Sequence, residues 1–194
     1  MATKGLLERY AAGERDFSGI TIKYANFILA DLKGIDLSNA RMNGIKLIGA
    51  NLDGANLSGA RLEGADLTSA DLSRANLTSA DLSGCQLVRT NFCEANLSDA
   101  GFWNACIDGA MFIGANLQRA KLVELYSCLG TNFTRADLRE CRIEGTYGSR
   151  CFESANLLGA IEFIPNRTDI FCKTIMPDGS IRNDGCWPAV AELS

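Results

Sequence analysis

The side chains of this chain best suited to chemistry are its cysteines and carboxylates, because it has no histidine. Without imidazole there is no Ser-His-Asp or Cys-His nucleophile pair, and the commonest metal ligand is missing. The eight cysteines include no Cys-x-x-Cys pair, which argues against structural zinc. Most of the 23 acidic residues fall at outward positions set by a five-residue beat, so two on one face need have no acid–base role. The glycines keep the same beat rather than a Walker or G-x-G-x-x-G spacing. The chain therefore reads as non-enzymatic, with no catalytic, cofactor-binding or metal-ligating residue to name.

The beat must position everything else. From Phe17 to Leu122 every fifth residue is Leu, Phe, Ile or, once, Met42. Two places before each centre stands mostly Ala, and the residue between is mostly Asn, Asp, Lys or Arg. On an α-helix a step of five rotates successive centres by about 140°, which smears them around the axis. On a flat strand the odd step sends them to alternate faces. Neither element buries them together, so the chain has to turn once per repeat. Glycines two places after many centres, such as Gly54, Gly59 and Gly64, supply the positive φ of tight turns. The outcome is a coil of short extended pieces, each turn stacked on the last at about 4.8 Å.

The tandem Ala-(Asp/Asn)-Leu-x-x of Ala50 to Ser83 resembles the pentapeptide-repeat family, and the likeness runs over roughly residues 15–178. It implies an all-β fold, a right-handed quadrilateral β-helix solenoid with four repeats to a coil. The expected domains are an N-terminal helical cap over 1–14, the β-helix over 15–161, and an interrupted last coil with a C-terminal cap over 162–194. In the first, Leu6, Leu7 and Tyr10 make one apolar helical face that ends at Gly13. The segment Tyr10 to Phe17 is similar to the lead-in of cyanobacterial members, including the heterocyst-suppressing one.

With four repeats per coil, Leu37, Leu57, Leu77, Leu97 and Leu117 stack in one interior column. Ala30, Ala50, Ala70 and Ala110 form part of a second, interrupted by Thr90. Ile20, Ile35 and Ile45 replace Ala and crowd the first coils. Asn56, Asn76, Asn96 and Asn116 stack outward and can form an amide ladder. The phase slips after Leu122: the next clear centres, Phe133, Leu138 and Ile143, require one inserted residue within Val123 to Tyr126. A compensating deletion falls near Glu144 to Tyr147, Pro165-Asn166 marks a loop, and the last repeats centre on Phe171 and Met176. Met176 to Ser180 reads as a turn, with Trp187 and Pro188 covering the last coil.

Cys85 occupies an Ala position and should be buried and inert, whereas Cys93 and Cys106 fall outward. Cys172 and Cys186 bracket the terminal turn and are expected close enough to bridge, although a cytoplasmic location argues against a permanent disulfide.

Function is sought among outward apolar residues, since Trp and Tyr are typical interface anchors. Four-sided stacking makes Trp103 and Val123 neighbours. Met111 and Ile113 lie on another face, and Tyr126 sits in the bulge. The competing reading is that the bulge or the tail folds over Trp103. Ile28, Leu29 and Ile48 form a second patch. The expected function is a rigid protein–protein interaction scaffold for an unidentified protein partner. One alternative is a gyrase-binding DNA mimic, a role that the family resemblance brings with it. A net charge of −4 and stacked Arg41 and Arg61, with Lys23 and Lys121 on the same wall, make that mimicry weak. The other alternative is an architectural spacer. Nineteen basic residues interspersed among the acidic ones give no nucleic-acid surface, and no leader or apolar run suggests a membrane. A cytoplasmic monomer without cofactors is the expectation.

Overall fold

A few recurring bonds explain why five residues suffice for a corner. Where Asp or Asn precedes the centre, its side chain accepts from the N–H two residues on, as Asp71 does from Ser73 (3.0 Å), forming an Asx turn. The centre's carbonyl accepts from the N–H three residues on, as Leu52 does from Ala55 (2.9 Å). The second residue after the centre takes positive φ, and its N–H reaches the next turn, Gly54 to the Ser73 carbonyl at 2.9 Å. Glycine is not required there: Ser69, Arg74 and Ser79 hold φ of 57°, 56° and 57° in the same role. The bond to the turn below fixes a conformation that a side chain alone would disfavour.

The computed structural model describes residues 3–145 and 148–184. Parallel bridges join residues 20 apart, such as Asn51↔Asp71, Asn56↔Asn76 and Arg61↔Asp81, so four repeats complete each turn of a β-helix. Only towards the end do the bridges lengthen into strands: β1 Lys121–Val123, β2 Thr131–Asn132, β3 Arg142–Glu144, β4 Arg150–Cys151, β5 Thr174–Ile175 and β6 Ile181–Arg182. Strand β1 pairs with β3 and β2 with β4, both parallel. Strands β5 and β6 form an antiparallel hairpin through the predicted turn, where Gly179 N–H meets the Met176 carbonyl at 2.9 Å.

The centres point inward. Leu37, Leu57, Leu77, Leu97 and Leu117 are all buried, as are Ala50, Ala70 and Ala110. Thr90 is accommodated in that Ala column because its hydroxyl donates to the Leu67 carbonyl at 2.9 Å. Ile35 and Ile45 are buried, while Ile20 and Ala30 lie at the half-covered upper end. A feature the repeat did not announce is a column of stacked rings. Phe92, Phe112, Phe133, Phe152 and Phe171 follow one another at 4.9, 5.0, 5.2 and 5.5 Å between centroids.

Helix α1, Thr3–Ala11, covers the open edge of the first coil, whose backbone would otherwise lack partners. Leu6 is buried, Leu7 and Tyr10 pack on the core, and the Tyr10 hydroxyl donates to the Lys33 carbonyl at 2.8 Å. Gly13, at φ 97°, ends the helix.

The bridge spacing becomes 21 at Cys106↔Ser127 and Met111↔Asn132, then 19 at Arg142↔Ile161 and Cys151↔Ile170. The extra residue is Tyr126. Leu125 keeps the inward position, Tyr126 is pushed out, and Cys128 becomes the next buried centre. One residue is missing between Glu144 and Arg150, a stretch that includes the undescribed Thr146 and Tyr147, and a second between Ile161 and Ile170. In place of the Ala column come Arg150 and Asp169, both buried. Asp169 accepts from the Arg150 guanidinium at 2.6 and 3.0 Å, from the Arg150 N–H at 3.0 Å and from the Asn166 N–H at 2.8 Å. The predicted cover by Trp187 and Pro188 lies outside the described residues. No helix among the described residues is long and apolar enough to cross a membrane.

Candidate groove at Trp103

Trp103 is 57% exposed, with Tyr126 at 78% and Leu129 at 59%. Among the described residues the bulge does not close over the indole. Instead it supplies a partner: Glu124, one turn on, accepts from the Trp103 Nε1–H at 2.7 Å. That bond pins one edge of the ring and leaves its apolar body to solvent. Trp103 and half-buried Val123 line a groove of about 430 Å³ together with Asp81, Asp99, Lys121 and Arg142. The rim is partly neutralised. Asp99 pairs with Arg119 at 2.7 Å, and that hydrogen bond holds its carboxyl below the ordinary value. Arg142 pairs with Glu144 at 2.8 Å and Glu162 at 2.5 Å. No ion pair among the described residues engages Lys121 or Asp81.

The other predicted residues do not join this groove. Met111, 38% exposed, and half-buried Ile113 belong to the column of Asn91 and Asn132, two columns round the turn from Trp103. Tyr126 lies at the bulge, beside a residue the repeat pattern overlooked. Leu129 is exposed because Cys128 is a centre, which counting back five from Phe133 would have revealed. Its N–H is fixed by Asp108 Oδ1 at 2.7 Å. Leu29 is 77% exposed at a corner with φ 58°, with Ile28 beside it at 42% and Ile48 half-buried one turn on.

The buried thiols of Cys85, Cys128 and Cys141 are poor nucleophiles. Burial pushes Cys85 and Cys141 up to about 12 and Cys128 up to about 11, which suppresses the reactive thiolate. Cys85 is buried as expected, but Cys106 is not the outward residue predicted. Flanked in its ladder by Gln86 and Ser127, its small side chain is only 5% exposed. Of the Cys172–Cys186 pair, Cys186 lies outside the described residues. No group of three or more Cys, Asp or Glu among the described residues is placed to hold a metal ion.

A β-helix built from Ala-(Asp/Asn)-Leu repeats defines a protein class. The family described as pentapeptide repeats matches residues 16–54, 45–84 and 75–112, in eight copies, and the chain belongs to it. Among solved structures it is similar to HetL, a pentapeptide repeat protein involved in heterocyst differentiation regulation in the cyanobacterium Nostoc sp. strain PCC 7120. Identity is 26% over 94% of this chain and 100% of that one, with a TM-score of 0.38. A second pentapeptide repeat protein from Nostoc PCC 7120, alr5209, is 31% identical over 76% of this chain and 95% of its own, at a TM-score of 0.29. Trypsin-treated QnrB1, a plasmid-mediated fluoroquinolone resistance protein, is 18% identical over 89% and 85%, at 0.49. No curated protein matches the chain.

Proposed function

We propose that this pentapeptide-repeat protein is a non-enzymatic scaffold, a right-handed, four-sided rod whose Trp103 groove docks a protein partner. The observation that carries the reading is the indole itself. It is 57% exposed, held at one edge by Glu124, and set beside Val123 in a groove with charges of both signs. A large aromatic pre-fixed in this way loses little entropy on binding, and such anchors dominate interface energetics. The matching partner presents an apolar side chain flanked by an acidic group for Lys121 and a basic group for Asp81. Met111, Ile113 and Tyr126 are secondary contact candidates on other parts of the rod. The DNA-mimic reading is disfavoured by Arg41 and Arg61, which stack on the same column. A cytoplasmic monomer completes the proposal.

The test is affinity capture with three baits of equal thermal stability: the native chain, Trp103→Asp, and Val88→Asp on another column. A protein retained by the native chain and Val88→Asp but lost from Trp103→Asp supports the groove. Retention by all three would remove it. Gyrase among proteins retained in a Trp103-independent way would favour the mimic. The proposed Cys172–Cys186 bridge is checked by thiol counting in denaturant without reductant, where all eight cysteines free would exclude it.

A further inference from the structure

A second cleft opens above the Trp103 groove, on the same column. Lys23, Tyr24, Arg41, Asn43 and Arg61 line a cavity of about 340 Å³, within the size range of small-molecule sites. Arg41 and Arg61 are direct ladder partners, so the two guanidinium-bearing residues sit one rung apart, about 4.8 Å in the backbone. Like charges directly opposite one another on a ladder destabilise it. Elsewhere this rod pairs such charges: Lys33 and Arg74 meet Asp53, Arg119 meets Asp99, and Arg142 meets Glu144 and Glu162. No ion pair among the described residues engages Lys23, Arg41 or Arg61. Of the nearby carboxylates, Glu63 accepts from the Asn43 amide at 2.5 Å, and Asp81, the next rung beyond Arg61, lies on the side away from Arg41.

The fourth wall is aromatic. Tyr24 is 85% exposed, and its ring lies over the Gly44 corner, with edge carbons 3.4 and 3.5 Å from where a side chain at Gly44 would begin. A ring laid on a glycine backbone leaves its other face open as a stacking platform. Two guanidinium-bearing residues one rung apart, with a lysine, suit consecutive phosphoryl groups, and an adjacent open phenol ring suits a nucleobase.

We propose that this cleft binds a nucleoside diphosphate. Its phosphates lie on Arg41, Arg61 and Lys23, and its base stacks on Tyr24. The ligand supplies counter-charge on the Arg41 side of the rung, where the ladder offers none; Asp81 faces Arg61 only from the rung beyond.

Calorimetric titration of the full chain with ADP, pyrophosphate and adenosine tests this. ADP and pyrophosphate should bind, ADP about fivefold tighter or more, and adenosine should give no heat. Arg61→Gln should weaken both anions roughly tenfold, whereas Tyr24→Ala should weaken ADP alone, down to the pyrophosphate value. Arg89→Gln, a guanidinium on another column, should change neither. Without ligand, Arg61→Gln gives up the repulsion of Arg41 and the attraction of Asp81 together, so its melting temperature is measured beside the titration. If it melts lower, Arg41→Gln replaces it in the same titration. Silence from ADP and pyrophosphate at millimolar concentration overturns the proposal. So does adenosine binding as well as ADP, ADP binding indifferent to both arginine variants, or an acidic peptide binding where the two anions do not.

Discussion

The coils between Ala50 and Gly84 and those after Lys121 solve one packing problem in different ways. In the first, the interior is Leu beside Ala, every turn takes 20 residues, and no charged side chain points inward. In the second, the centres of one column become stacked phenylalanines, and Ala gives way to Thr131, Arg150 and Asp169. One extra residue lengthens the bridges to 21, and two later losses shorten them to 19. Small residues opposite large ones give a uniform turn. A large polar residue at the small position is tolerated only when its counter-charge and hydrogen bonds arrive on the neighbouring turn. The regular coils set a frame, and the irregular coils place exposed residues upon it. The groove at Trp103 lies where the two meet, because its Glu124 latch and Val123 belong to the turn in which the register changes.

The sharpest way to break this comparison is Asp169→Ala. It leaves the Arg150 guanidinium buried without its anion and strips two backbone N–H donors, from Arg150 and Asn166, of their acceptor. Removing one member of a buried pair costs about 3–5 kcal/mol, read as a fall in urea-unfolding stability. Replacing both members with apolar residues, Arg150→Met with Asp169→Leu, should restore most of the loss, since such pairs often exchange evenly for packing. If the double variant is as unstable as the single, the pair specifies this coil and does not merely satisfy itself.

A reciprocal swap comes next. Phe133→Leu removes two ring stacks, with Phe112 at 5.0 Å and Phe152 at 5.2 Å. It should lose about 1–3 kcal/mol beyond area effects, at roughly 0.5–1.5 kcal/mol per pair. Leu52→Phe places a ring in the same column between Leu32 and Leu72, and overpacking there should cost about 1–3 kcal/mol. Equal tolerance of Leu52→Phe would mean that the upper coils have spare volume and that ring identity below is incidental.

The five-residue phase was legible because one residue type recurs at one position, and the same count placed the insertion between Val123 and Tyr126. Which residue the insertion expelled was not legible. Leu125 and Tyr126 are both apolar, and only the ladder, resuming at Ser127, decides between them. Nor could the pattern show Arg150 meeting Asp169, since that contact depends on a turn shortened to 19 residues, seen at Thr131↔Arg150 and Cys151↔Ile170. Trp103 was legible as a candidate because a polar wall has no structural use for it. Its latch was not, since Glu124 reads as one more polar corner residue.

The upper coils carry their own charge clamp, at the surface. Lys33 reaches Asp53 at 2.9 Å and Arg74 reaches it at 2.5 Å, bridging three turns. The Lys33 hydrogen bond, aided by Arg74, holds the Asp53 carboxyl below its usual value. A depressed folded value means that the clamp's contribution is complete above the unfolded carboxylate range, near pH 3.9. It is lost as pH falls through the lower, folded value. Asp53→Asn should therefore melt below the native chain at pH 7, and the gap should close in strong acid. The gap should be smaller than that of Phe133→Leu, because the two cations stay largely in water. A gap that persists unchanged through pH 2 would assign the effect to packing.

The smallest expected effect probes the amide ladder, which is not the uninterrupted stack its sequence suggests. Asn76 donates to Asn56 at 3.3 Å, and Asn116 donates to Asn96 at 3.2 Å. Between them Asn96 turns to the Thr78 hydroxyl at 3.0 Å, which in turn donates to Asn76 at 2.7 Å. The ladder thus passes through Thr78, whose hydroxyl both accepts and donates there. Thr78→Val keeps the shape and removes both bonds, so it should destabilise by about 0.5–1.5 kcal/mol. Ser58→Ala removes a hydroxyl that only donates to its own Asn56 at 2.9 Å, and it should cost less. The two variants isolate the relay itself. If they are equally mild, Asn96 has swung back to Asn76 and the ladder heals at no loss. If Thr78→Val alone is costly, the regular coils depend on one hydroxyl much as the irregular ones depend on Asp169.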